Sequence, residues 1–423
     1  NFVYKAGSSI DIIPFFESWN EPRLLLSTPN MGLLVDYLKE SSYSSPHHLH
    51  SVWNTVISIL SSSNDKSSYP KDVAIIPITD LWIKISDILF TTSVERVDTG
   101  LQLFQKLLPM VQRPDDAALL LNPLFLKTLL FNLGNKESLT YQSCLNCSRK
   151  IATFCEENPE FSLSIVMQMI GVKGFRDFDV RTKTKTIQTI MQSLDESSML
   201  GYVRYLIKTF NSPEEAAKSA RPDETDNASI NYSQFNECNN VRLWAIEQMM
   251  TLLRSINIPK YQSYIELIAK FITLHGLFKF KTKEEPSSKK LKKSESKKNN
   301  KKFDIKDDSI IFTEPTMEIS GKVYGFVKQK LPIMQGCLDS IVLDEKKDTT
   351  TANSNNSFNS SAFKGLTTDN KPWILFVLEF IDTLRHSHDS TLHLRVPLDE
   401  EALNCLKHGN TISTNIQKEI SNL

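Results

Sequence analysis

The chain has 423 residues, 40% of them apolar and 23% charged, with 49 Lys and Arg balancing 49 Asp and Glu. This is the make-up of an ordinary globular protein; 13 Gly argue against a Gly-rich sandwich or a nucleotide-binding sheet, and no run of ~18 apolar residues suggests a membrane-spanning helix. Six sparse Cys suit reduced thiols in a nuclear or cytosolic compartment.

Along the chain, the pattern is helical almost throughout. Leu33, Leu34, Tyr37 and Leu38 keep helical spacing, as do Val52, Val56, Ile57 and Leu60. A Ser/Asn-rich loop covers 61–69. The run Val73 to Ile78 resembles a strand, although Pro77 disfavours a central one. Ile83, Ile85, Ile88, Leu89 and Phe90 mark a further helix. Asn122 followed by Pro123 is an N-cap with proline at the first helical position, Leu126, Leu129, Leu130 and Leu133 form the stripe, and Gly134 ends it.

The next helices are predicted over 137–156 and 161–170, then around Ile187, Ile190, Met191 and Leu194. Asp195 is placed to cap a helix bearing Met199, Val203, Leu206, Ile207 and Phe210. A polar loop is predicted over 211–237. Trp244 to Ile256 is apolar around most of a helix and so belongs between neighbours, and Pro259 opens another helix. Helix pairs with short connectors recurring over ~40 residues predict an all-α, HEAT/armadillo-like helical repeat solenoid.

Five segments follow from this: an α-helical solenoid over 1–278; a Lys-rich linker over 279–303; a helical continuation over 304–343; a Ser/Thr/Asn-rich loop over 344–369; and a C-terminal helical segment over 370–423. The two intervening stretches are expected to be disordered. From Lys279 to Lys302 there are 11 Lys and 3 Glu, a local charge of +8. The chain begins at Asn1 rather than Met, which suggests an internal portion of a longer protein.

Candidate chemistry is thin. Two-metal catalysis needs carboxylates converging on cations ~3.5–4 Å apart. The candidates are Asp177 with Asp179, Asp115 with Asp116, Asp223 with Asp226, and Asp307 with Asp308. All lie in polar loops or at helix starts, where capping is the plainer role. Cys144 and Cys147, with Cys155 further on, form half a zinc pattern, but no second pair exists and i, i+3 spacing suits one buried helix face. His47, His48 and His50 cluster without an acidic or thiol partner. His275 sits where a helix C-terminal His would stabilise the terminus; His386 and His388 suggest surface positions.

Two basic features remain. Lys289, Lys290, Lys292, Lys293, Lys297, Lys298, Lys301 and Lys302 suit an import signal or contact with a phosphate backbone, against a solvated linker. Arg181, Lys183 and Lys185, interleaved with Thr182, Thr184 and Thr186, suit contact with a phosphate or an acidic partner, against an exposed, Thr-capped first turn. No catalytic residue, metal ion, cofactor or small-molecule substrate is indicated.

Phe178 to Asp195 (FDVRTKTKTIQTIMQSLD) resembles a hallmark of the Myb-binding protein 1A family, also called DNA polymerase phi or fungal DNA polymerase V. Arg242 to Ser255, Phe271 to Lys279 and Asn122 to Cys144 are similar to its neighbouring segments. The likeness is good over roughly 120–280 and weak in the flanks. It implies a nucleolar protein of ribosomal DNA transcription and ribosome biogenesis, built of helical repeats. Its implied partners are nuclear or nucleolar proteins, ribosome-assembly or transcription factors, and rDNA or rRNA, with no membrane. Two alternatives stand beside this scaffold: a DNA-directed DNA polymerase, as the family name says, and a karyopherin-like transport adaptor.

Overall fold

In the computed structural model the chain is described over residues 26, 28–41, 49, 51–63, 76–171, 174–218, 227–280, 308–343, 364–386 and 392–397, with scattered positions from 400 to 418. It is mostly helical, as the apolar spacing predicts. It divides into two compact units, Asn1–Leu194 and Asp195–Leu423.

The first unit contains α1 (Met31–Ser41), α2 (Ser51–Ser63), α3 (Ile78–Phe90), α4 (Val94–Leu107), α5 (Pro114–Leu120), α6 (Pro123–Gly134), α7 (Tyr141–Glu157), α8 (Pro159–Ile170), α9 (Phe178–Thr182) and α10 (Thr186–Gln192). Proline at N1 sets the starts of α5, α6 and α8, because its missing N–H belongs to a position that has no intrahelical acceptor. The Asn122 cap forms as predicted, its side chain accepting from the Phe125 N–H at 2.9 Å. Ile78 opens α3 rather than closing a strand. Tyr141 opens α7 four residues after the predicted start; 135–140 is a turn, in which the Asn135 side chain accepts from the Glu137 N–H at 3.1 Å.

Packing in this unit recurs every third helix. α3 packs on α6 and α6 on α9; α4 packs on α7 and α7 on α10; α5 packs on α8. Most starts keep step: Ile78 and Pro123, Pro114 and Pro159, and Tyr141 and Thr186 are each 45 positions apart, Val94 and Tyr141 are 47 apart, and Pro123 and Phe178 are 55 apart. An aromatic cluster joins three of these helices. Trp82 of α3 lies 5.9 Å from Phe104 of α4 and 6.2 Å from Phe125 of α6, and Phe104 stacks on Phe125 at 4.1 Å. The Trp82 indole donates to the Leu120 carbonyl at 2.8 Å, so the buried ring leaves no orphan N–H.

The second unit contains α11 (Glu196–Asn211), α12 (Glu214–Lys218), α13 (Asn227–Arg254), α14 (Gln262–Leu277), β1 (Phe278–Phe280), α15 (Gly321–Ser340), α16 (Trp373–His386) and β2 (Leu392–Leu394). Asp195 caps α11 as predicted, accepting from the Ser198 N–H at 3.0 Å. α13 packs on α11, α12 and α15, while α14 packs on α11, α15 and α16. Gly276 lets α14 and α15 approach closely: a Cβ there would meet Leu331 at 2.8 Å. β1 and β2 pair antiparallel, with Phe278 opposite Leu394.

The predicted polar loop over 211–237 is corrected. α12 and the first turns of α13 occupy much of it, because Ala216, Ala217, Cys238 and Val241 bury against one another. Small apolar residues among Asn, Ser and Glu give too weak a periodic signal to be read locally. The helix predicted from Trp373 is α16.

Candidate interaction site

Phe178 begins α9, little more than one turn long, which Thr182 closes by donating to the Phe178 carbonyl at 2.7 Å. Lys183 then takes a left-handed backbone conformation, φ 55° and ψ 30°. Asp179 holds the turn from the other side. Its carboxylate accepts from the Ile187 and Gln188 N–H groups, both at 3.1 Å, and from the Thr184 hydroxyl at 3.3 Å. One side chain thus caps α10 from the preceding helix. Burial pushes the Asp179 carboxyl above the usual range, and the amide hydrogen bonds oppose this.

This knot turns the cations outward. Arg181, Lys183 and Lys185 are all exposed. Arg181 Nε lies 3.9 Å from exposed Asp177, a loose pair of little energetic weight. Exposed apolar side chains lie nearby in the fold: Val180 in α9 and Phe131 in α6, the latter with Lys127 Nζ 5.9 Å from its ring centre. Neither stands out in the apolar spacing of the sequence. Phe131 falls outside the Leu126, Leu129, Leu130 and Leu133 stripe, and that departure was the available signal.

The acidic candidates have structural occupations. Asp179 caps α10, Asp177 faces Arg181, and Asp116 accepts two bonds from Arg113, both at 2.8 Å, in the first turn of α5. Asp308 begins a short 3-10 turn; Asp223, Asp226 and Asp307 lie outside the described residues. Among the described residues no three His, Cys, Asp or Glu side chains gather as a metal site would require.

Cys144, Cys147 and Cys155 are buried in α7, as i, i+3 spacing suggested. Burial raises the Cys144 and Cys155 thiols to about 12 and moves Cys147 the same way, so they stay protonated. His275 needs correction. It does lie in the last turn of α14, but it is buried between Phe210 and Phe271, with ring centres at 4.9 and 4.4 Å. Burial first, then Arg395 and Arg242, lowers it to about 3, so it is neutral and its role is packing rather than charge at a helix end. His386 is exposed beside Asp382. His47, His48, His50 and His388 lie outside the described residues.

Lys289, Lys290, Lys292, Lys293, Lys297, Lys298, Lys301 and Lys302 also lie outside the described residues. The chain on either side of 281–307 is anchored. Before it, β1 pairs with β2; after it, Arg242 grips the backbone. Arg242 is buried and donates to the carbonyls of Phe210, Met317 and Glu318 at 3.0, 2.8 and 2.9 Å. Lys279 and Glu318, one from each flank, approach to 3.7 Å.

Residues 5–422 match the family described as DNA polymerase phi. The chain belongs to the DNA polymerase phi family. This agrees with the resemblance carried by Phe178 to Asp195, and it extends across the flanks where that resemblance was weak. The chain is also similar to the rDNA transcriptional regulator pol5 of Schizosaccharomyces pombe, at 22% identity over 270 residues. That stretch covers 63% of this DNA polymerase phi family chain and 26% of the relative, so the chain spans about a quarter of that protein's length. No solved structure matches.

Proposed function

We propose that this chain is part of a nuclear, nucleolar regulator of rDNA transcription that works by holding partners. The observation that carries the reading is its family membership together with its similarity to the pol5 regulator. Recurrence of packing every third helix, in steps of 45 to 55 residues, supports an armadillo-like repeat stack in the first unit. Such stacks present extended side-chain surfaces suited to protein docking. Ribosome-assembly and transcription factors are the proposed partners. Lys289, Lys290, Lys292 and Lys293 are proposed to aid import and hold rDNA or rRNA by counterion release.

The family name favours a second reading, nucleotidyl transfer. The tasks found for Asp116, Asp177 and Asp179 support the first. Chromatin immunoprecipitation of the full-length protein tests it: occupancy of rDNA well above a control gene is expected, and background occupancy overturns it. Primer extension by the purified chain with Mg²⁺ and deoxynucleotides separates the two, because template-dependent incorporation would establish the polymerase reading.

A further inference from the structure

Where α6 meets α9, exposed apolar side chains and exposed cations share one surface. Phe131 and Gly134 lie on the same side of α6, three residues apart, and a Cβ on Gly134 would sit 3.7 Å from the Arg181 carbonyl. The end of α6 therefore abuts the Val180–Arg181 backbone. Val180 is 79% exposed and Phe131 59%, while Leu139, in the turn that follows α6, is 86% exposed. Lys127, Lys136, Arg181, Lys183 and Lys185 are exposed on the same elements, against exposed Asp177 and Glu137; the Asp179 carboxylate is committed to amides.

Lys183 occupies a left-handed position at the end of a helix, where glycine is unstrained and a side chain is not. Its ammonium enters no ion pair among the described residues, while the hydrogen bonds of Thr182, Thr184 and Asp179 hold the turn around it.

We propose that this surface docks an acidic polypeptide segment bearing bulky apolar side chains. Phe131 and Val180 take the apolar groups, and Arg181, Lys183 and Lys185 take the carboxylates. A phosphate backbone would satisfy the cations alone. Aliphatic Val180 and Leu139 cannot stack on bases, so the mixture favours a peptide. The proposal deepens the partner-holding reading but is tested by binding alone, so a lack of rDNA occupancy would leave it standing.

The experiment selects a displayed library of random peptides against the purified full chain, then measures the best synthetic peptide by fluorescence polarisation. Enriched peptides rich in Asp and Glu with Leu, Phe or Trp are expected. Lys183→Gly and Val180→Ser should each weaken them by about fivefold. The Lys183→Gly melting temperature should be equal to or above the parent's, which excludes unfolding as the cause. Enrichment of peptides without acidic residues, failure to enrich any, or binding by either variant as tight as the parent's overturns the proposal. So does a fluorescein-labelled oligouridine that loses affinity in Lys183→Gly while peptide binding does not.

Discussion

Replacing Arg242 should loosen the second unit at one definable place. Its guanidinium is fully buried, stacks over Phe210 at 5.7 Å, and donates to three carbonyls at 2.8 to 3.0 Å. Three charge-assisted bonds of ~1.5–3 kcal/mol each give a gross gain of about 5–9 kcal/mol. Burying the charge costs several kcal/mol in return, and the same desolvation depresses the Arg242 pKa. Arg242→Ala removes the donors and leaves the carbonyls buried, so a loss of about 3–5 kcal/mol is expected. Arg242→Lys keeps the charge but not the planar fork, and should lose about 2 kcal/mol.

The Met317 and Glu318 carbonyls lie in irregular backbone, also held by Thr316, whose N–H donates to the Asn211 carbonyl at 2.9 Å. Hydrogen exchange should therefore quicken most between 313 and 320 in Arg242→Ala. Denaturant unfolding and exchange mass spectrometry together check this. A loss below about 1 kcal/mol with unchanged exchange over that segment would refute the assignment of Arg242 as its anchor.

Asp179→Ala strips two amides and a hydroxyl of their acceptor and should cost about 2–3 kcal/mol, whereas Asp179→Asn keeps one acceptor oxygen and should cost about 1 kcal/mol; differential scanning calorimetry ranks them. Because burial raises the Asp179 carboxyl, its contribution is full below the unfolded pKa and declines as pH rises through the folded one, so the parent's advantage over Asp179→Asn should narrow from pH 4 to 7. His275 has the opposite window. Its folded value of about 3 lies below the unfolded value of 6.5, so its contribution is full above 6.5 and falls with acidification by about 1.4 kcal/mol per pH unit. Unfolding at pH 7 and pH 5 should show the parent losing about 2 kcal/mol that His275→Leu does not; parallel curves would contradict the neutral buried imidazole.

What the sequence disclosed depended on how local the physics was. Asn122 and Asp195 cap helices that begin within three residues of them, and both were legible. Leu126, Leu129, Leu130 and Leu133 announced the buried face of α6 for the same reason. Asp179 bonds amides eight and nine residues on, across a turn, so capping was the plainer expectation from sequence but the helix it caps was visible only in three dimensions. His275 has an apolar stripe before it and a Gly after it, which looks like a helix end meeting solvent. The pairing of Phe278–Phe280 with Leu392–Leu394 and the aromatic rings around His275 reverse that. Arg242 gave no local sign at all, since its acceptors are contributed from 32 to 76 positions distant.

The two clamps around 281–307 have an evolutionary corollary. Phe278–Phe280 are fixed to Leu392–Leu394 on one flank, and Met317–Glu318 are fixed to Arg242 on the other, so both ends of the stretch are held by residues outside it. Doubling the length of such a closed stretch adds only ~0.6 kcal/mol of closure entropy. Relatives can therefore lengthen, shorten or recharge it at small cost to folding, and variation there is expected to track each lineage's ligands rather than its stability.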